Sequence, residues 1–187
     1  CVQKIISPQI NEATIRLLNR HNIEVVVPKS IDCCGSLNHH LGKSDIANET
    51  FKKNILIWYD EYLKNGLDAI ISNTSGCGTT LKDYGFLFRS NKELKKKARK
   101  VSELTKDISE YLDENVKLNF IESSDKKEYK IAYHSACSMQ HGQKVHSIPK
   151  KLLKKTGNKI FDIPEGHICC GSSGTYNLLQ SDIAKKL

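Results

Sequence analysis

Seven cysteines stand at positions 1, 33, 34, 77, 137, 169 and 170 of this 187-residue chain. Two pairs are vicinal, Cys33-Cys34 and Cys169-Cys170, and each is followed by Gly-Ser. Sliding the sequence by 136 residues places Cys1 on Cys137, Cys33 on Cys169, Cys34 on Cys170, Gly35 on Gly171 and Ser36 on Ser172. Leu17, Asn22 and Pro28 fall on Leu153, Asn158 and Pro164 in the same frame. Both stretches therefore read C-x31-C-C-G-S, an internal duplication of one cysteine-bearing unit. Thiolates are soft ligands, and four of them suit an iron–sulfur cluster. Structural zinc sites favour C-x2-4-C knuckles, and the sequence has none. Adjacent cysteines bring two sulfurs into one small region, which favours a multi-iron centre. On spacing alone zinc and a thiol redox or disulfide role stay open, although an odd cysteine count argues against a pure disulfide framework.

Alternating strand and helix signals must position these thiols. Ser7-Pro8 reads as a cap followed by a proline at the first helical position, and Ile10, Ala13, Leu17 and Leu18 give an apolar helical face. The β-branched run Ile23 to Val27, ended by Pro28, predicts a buried strand before Cys33-Cys34. A helix follows over Ser44 to Asn65, with Gly66 as its stop. Ala69 to Ile71 predicts a strand with Cys77 in the loop after it. Leu81 to roughly Leu112 reads as polar helix, in one piece or two, and 113–128 as a charged connector. Tyr129 to Tyr133 predicts a strand before Cys137; a helix capped by Ser147 ends at Gly157. Lys159 to Ile163 predicts the strand before Cys169-Cys170, with helix resuming near Tyr176. The expected fold is α/β: two pseudo-symmetric repeats, 1–112 and 129–187, with parallel strands flanked by helices. Cysteines would sit in loops at the C-terminal ends of strands, where α/β folds build their sites. Helix N-termini just beyond those loops favour thiolate.

The counterpart of Cys77 in the second repeat would fall at position 213, past Leu187, and the strand equivalent to Tyr129–Tyr133 would precede Cys1. An internal piece of a longer protein is thus the expected reading of the cysteine at position 1, ahead of a lipid-modified or disulfide-linked secreted N-terminus. The net charge of +8 comes mainly from lysine. Arginines interleaved with aromatics, the usual mark of a nucleic-acid groove, are missing. The run Lys92 to Lys100 reads as a solvated helix face, and no apolar stretch is long enough to span a bilayer.

The segments CVQ, CCGSLNHHLG, NTSGCGTTLKDYG, YHSACSMQHGQ and CCGSSGTYNLLQ occur in that order along the whole chain. They resemble the duplicated cysteine-rich "CCG" domain found in heterodisulfide reductase, in lactate-utilisation iron–sulfur proteins and in the iron–sulfur subunit of glycolate oxidase. The likeness is strongest to the last. The resemblance implies an electron-transfer subunit with no catalytic residue of its own. Its cofactor would be a [4Fe–4S] cluster, held by Cys1, Cys33, Cys34 and Cys77 in one repeat and Cys137, Cys169 and Cys170 in the other. Its partners would be FAD-binding, hydroxy-acid-oxidising subunits, at the cytoplasmic side and, through the complex, at the inner face of the membrane. His134 and His141, flanking Cys137, and Gly35 and Gly171 are candidates for tuning the cluster. His39 and His40 are weaker ones, and His167 reads as structural. Trp58, Tyr84, Phe86 and Phe88 read as core or interface. The heterodisulfide reductase motif ends in C-x-x-C; here Thr74 stands three before Cys77, which leaves the first repeat four thiolates. A thiol-reducing catalytic subunit, a zinc-stabilised module, and a donor of lactate or glycerol 3-phosphate are the rival readings.

Overall fold

The computed structural model describes residues 2–31, 33–120, 128–172 and 174–186. Helices α1 (Val2–Ile6), α2 (Gln9–Arg20), α3 (Ser36–His40) and α4 (Ser44–Asn65) come first. Strand β1 (Ile70–Ser72) leads through α5 (Ser75–Leu87) and α6 (Lys95–Leu104) to β2 (Thr105–Asp107) and α7 (Ile108–Asn115). Strand β3 (Lys130–Tyr133) leads through a π-helix (Ser138–Gln143) and α8 (Ile148–Lys155) to β4 (Lys159–Asp162). Two short helices, α9 (Tyr176–Leu179) and α10 (Ser181–Ala184), follow. Both sheets are two-stranded and parallel: Ile70 pairs with Thr105 and Ser72 with Asp107, while Lys130 pairs with Lys159 and Tyr133 with Asp162. Parallel pairs need a helical crossover, and each sheet has one. The chain is therefore α/β with parallel strands flanked by helices, as its alternation predicts.

The main core lies between α4, α5 and α6. Phe51 and Ile55 from α4, Tyr84 from α5, and Ala98 and Val101 from α6 are fully buried, and Ile70 of β1 joins them. Burying side chains of this size contributes about 1.5–3 kcal/mol each before entropy is subtracted. Ala98 and Val101 explain how a lysine-rich segment becomes a stable helix: one stripe faces the core and the lysines face out. Lys97 lies over the Tyr59 ring and Lys100 over the Tyr62 ring, which ties the basic face to α4.

Three of these expectations need correction. Ile23–Val27 forms no strand; Val27 is 68% exposed. On the 136-residue offset this run is the equivalent of β4, but among the described residues no strand lies beside it to pair with. A β-branched run with no ladder partner cannot satisfy its backbone as a strand. The polar stretch Leu81–Leu112 is broken by β2, whose Thr105 and Asp107 are buried against β1. Its sequence, Thr-Lys-Asp, lacks an apolar run, so no periodicity marks it. The first long helix starts at Gln9, with Pro8 rather than Ser7 at the cap and no side-chain capping bond, and only Leu18 of its expected apolar face is buried. Of the aromatics read as core or interface, Tyr84 and Phe88 lie in the core, while Phe86 is 63% exposed beneath Arg89.

Candidate metal centre

Three elements converge on the first cysteine motif. The loop carrying Cys33 and Cys34 runs directly into α3, and Cys77 lies in the first turn of α5. That is a correction to its predicted loop position: helix begins at Ser75, as soon as β1 ends, so Cys77 takes helical geometry. The Cys34 and Cys77 sulfurs are 3.0 Å apart, and the Gly35 amide donates to Cys33 Sγ at 3.4 Å. All three thiols are free; Cys34 is buried, Cys33 and Cys77 half-buried. The Cys34 thiol is pushed far above the ordinary thiol range, first by its hydrogen bond to Cys77 and then by burial. The same bond holds the Cys77 thiol below that range, against burial and the like charge of Cys33. The two opposite shifts are the two sides of one sulfur–sulfur hydrogen bond.

Two buried polar side chains hold the loop from behind. Asn54 Nδ2 of α4 donates to the Cys33 carbonyl at 2.8 Å, and Tyr84 Oη of α5 donates to the Cys34 carbonyl at 2.6 Å. Gly35 has φ +82°, and an added Cβ would lie 2.5 Å from Cε1 of Phe51. Both the turn and the close packing thus require glycine. Ser36 donates to the Gly76 carbonyl and accepts from Thr80, which fastens α3 to α5. Thr74 caps α5 and its hydroxyl donates to Gln3, so no sulfur stands at that position. The sequence places Tyr84 in the core, but its hydroxyl's role was not legible; Asn54 carried no signal beyond being a polar residue on an apolar helical face.

The second motif is open. Cys137 precedes the π-helix, four residues after β3, and Cys169-Cys170 lie in the loop after β4. Parallel pairing brings both segments to one sheet edge, and Gln140 ties them by donating to the carbonyls of Ser135 and Gly166. The three thiols are exposed, and no hydrogen bond links their sulfurs among the described residues. Gly171 repeats the positive φ of its counterpart Gly35, at +71° against +82°. His134 and His141 are exposed, and neither bonds a cysteine. His39 stacks edge-on against Phe51. Cys1 lies outside the described residues.

The donor set suits a soft metal in kind: thiols only, at two helix N-termini, with no disulfide between them. Among the described residues no group of three or more Cys, His, Asp or Glu side chains is spaced to hold a metal ion. Tetrahedral zinc, with Zn–S near 2.3 Å, keeps its sulfurs about 3.8 Å apart. The Cys34–Cys77 contact is shorter, so the thiols would have to spread to accept a metal or cluster. Within this chain no helix is long and apolar enough to cross a membrane, among the described residues.

The family described as "Cysteine-rich domain" (CCG) matches residues 1–82 and 131–187. The chain is 36% identical over 187 residues to the glycolate oxidase iron-sulfur subunit of Escherichia coli (strain K12), covering all of this chain and 45% of that protein. It is 28% identical over 190 residues to a probable glycolate oxidase iron-sulfur subunit of Bacillus subtilis (strain 168), of which it covers 41%. It is 25% identical over 188 residues to lactate utilization protein A of Geobacillus sp. (strain WCH70), of which it covers 76%. The chain thus spans less than half the length of the two glycolate oxidase subunits. No solved structure matches.

Proposed function

The chain belongs to the CCG cysteine-rich domain family, and from that premise we propose that it is the cysteine-rich part of an electron-transferring iron–sulfur subunit. The observation that carries this is the convergence of Cys33, Cys34 and Cys77 at two helix N-termini. In this reading Cys1, Cys33, Cys34 and Cys77 serve one centre, and Cys137, Cys169 and Cys170 serve a second. The two repeats are taken as 1–112 and 129–187 with the charged connector between them. A [4Fe–4S] cluster bound there would supply a one-electron carrier. The protein's part is to hold the thiolates, keep water from Cys34 and aim helix N-termini at the sulfurs. In this reading Gly35, Gly171, His134 and His141 would tune the centres.

The names of the relatives extend the reading to the electron source. A flavoprotein partner oxidises a 2-hydroxy acid, glycolate first, and passes electrons through this subunit toward the respiratory chain at the cytoplasmic face of the membrane. Lactate is the second donor to test, because the match to lactate utilization protein A covers 76% of that protein. Anaerobic reconstitution with iron and sulfide, followed by visible absorption and EPR, tests the cofactor. Broad absorbance near about 400 nm and a reducible EPR signal are expected; a protein that takes up zinc alone overturns the assignment. The flavoprotein that co-purifies with the full-length subunit identifies the donor.

A further inference from the structure

Asn54 is 2% exposed and Tyr84 is fully buried, yet both are polar and both reach the backbone of the same dipeptide. Asn54 Nδ2 donates to the Cys33 carbonyl at 2.8 Å and to Tyr84 Oη at 3.3 Å, while Tyr84 Oη donates to the Cys34 carbonyl at 2.6 Å. The amide is oriented without ambiguity, because a carbonyl can only accept. Its Oδ1 is buried with no partner among the described residues. A buried, half-satisfied amide is costly, and a leucine in its place would pack more cheaply. Asn54 therefore gains its place through its N–H bonds alone, and those run to Cys33 and Tyr84.

We propose that Asn54 and Tyr84 are positioning residues that clamp the Cys33-Cys34 backbone so that Cys34 is turned inward onto Cys77. Two neighbours complete the clamp. Phe51 fills the space that any side chain on Gly35 would need, and it packs on Tyr84 with ring centroids 4.9 Å apart. The vicinal cysteines are thus fixed by α4 and α5, which pack on one another through Phe51, Ile55 and Tyr84. The consequence for metal loading rests on the iron–sulfur reading above, since a backbone held in place spares a cluster the entropy of ordering the dipeptide and leaves only the side chains to spread. The clamp itself does not depend on that reading.

Pulse labelling with N-ethylmaleimide, read cysteine by cysteine by mass spectrometry, tests it on the whole chain kept reduced and metal-free. Tyr84→Phe and Asn54→Leu should each speed labelling of Cys34 about tenfold, the factor by which losing one net hydrogen bond shifts a local opening equilibrium. Labelling of Cys137, Cys169 and Cys170 should not change. Ser102→Ala is the control. It removes a hydroxyl that accepts from the Gly85 amide and donates to the Leu81 carbonyl, softening α5 away from the cysteines. Equal acceleration by Ser102→Ala, or a Cys34 rate in Tyr84→Phe within twofold of the parent, overturns the clamp. Iron uptake measured on the same variants separates the two ideas. A chain that takes no iron but shows the labelling pattern keeps the clamp and loses the cluster; the reverse pattern does the opposite.

Discussion

The sulfurs of Cys34 and Cys77 lie 3.0 Å apart although 43 residues separate them in the chain. One comes from a loop and the other from the first turn of α5, so the contact forms only when α3, α4 and α5 have packed. If both are ligands of one centre, their losses cannot be independent. Cys34→Ser and Cys77→Ser should remove the same portion of reconstituted iron, and the double variant no more than either single. Cys169→Ser should remove a separate portion. Colorimetric iron per chain, with EPR amplitude, checks this; additive losses for Cys34 and Cys77 would sink the shared site.

Gly35 carries two constraints at once, and Gly42 carries one of them. Both have positive φ, +82° and +73°, but a Cβ on Gly42 meets nothing within 4 Å, whereas one on Gly35 strikes Phe51. Gly42→Ala should cost only the left-handed backbone term, about 1–2 kcal/mol. Gly35→Ala adds overpacking of a fully buried ring and should cost about 3 kcal/mol. Urea unfolding of the two variants gives the comparison, and equal costs would mean that Phe51 yields freely.

Asp107 closes β2 and caps α7. Its carboxylate accepts from the Ser109 amide at 2.9 Å and the Ser109 hydroxyl at 2.6 Å, while Glu110 accepts from the Asp107 amide at 2.8 Å. Glu110 also pairs with Lys82 of α5, so one capping box ties the sheet to the helix behind the cysteines. Asp107→Ala should cost about 2 kcal/mol, the upper range for a cap, because the residue is 4% exposed and leaves donors unpaired. Asp107→Asn keeps an acceptor and should lose less. Chemical denaturation orders the pair; an equal loss would remove the cap from the account.

Much of this was legible in the sequence because the signals were periodic or repeated. The helix over Ser44–Asn65 is bounded as its pattern predicts, and the strands before Cys137 and Cys169 stand where apolar runs precede the cysteines. Features that depend on a partner were not. Ile23–Val27 has the composition of a strand but, among the described residues, no strand beside it to pair with. Thr105–Asp107 has a poor strand composition but a neighbour, Ile70–Ser72, that supplies the ladder. The vicinal cysteines announced the site, while Asn54 gave no hint that it serves Cys33 from 21 residues away in sequence, since tertiary hydrogen bonds leave no periodicity.

The two repeats meet where α5 packs on the π-helix, and the fit there is reciprocal. Thr79 Oγ1 donates to the Ser138 carbonyl and Gln143 Nε2 to the Ser75 carbonyl, both at 3.0 Å. A Cβ on Gly142 would lie 2.7 Å from Thr79 Cγ2, and one on Gly78 would lie 2.6 Å from Gln143 Nε2. The neighbours differ in how they can yield. Gln143 is a flexible side chain that can swing away; Thr79 is β-branched and stiff within a helix. Gly142→Ala should therefore be the more damaging change, about 2 kcal/mol, by forcing the π-helix off α5. Thr79→Ser removes the nearer clash, the methyl, while the hydroxyl it keeps would still lie 2.9 Å from the new Cβ, so the double variant should recover only part of the stability that Gly142→Ala loses. A urea-denaturation cycle measures the coupling, expected at about 1 kcal/mol. Zero coupling would show that the π-helix and α5 do not bear on each other.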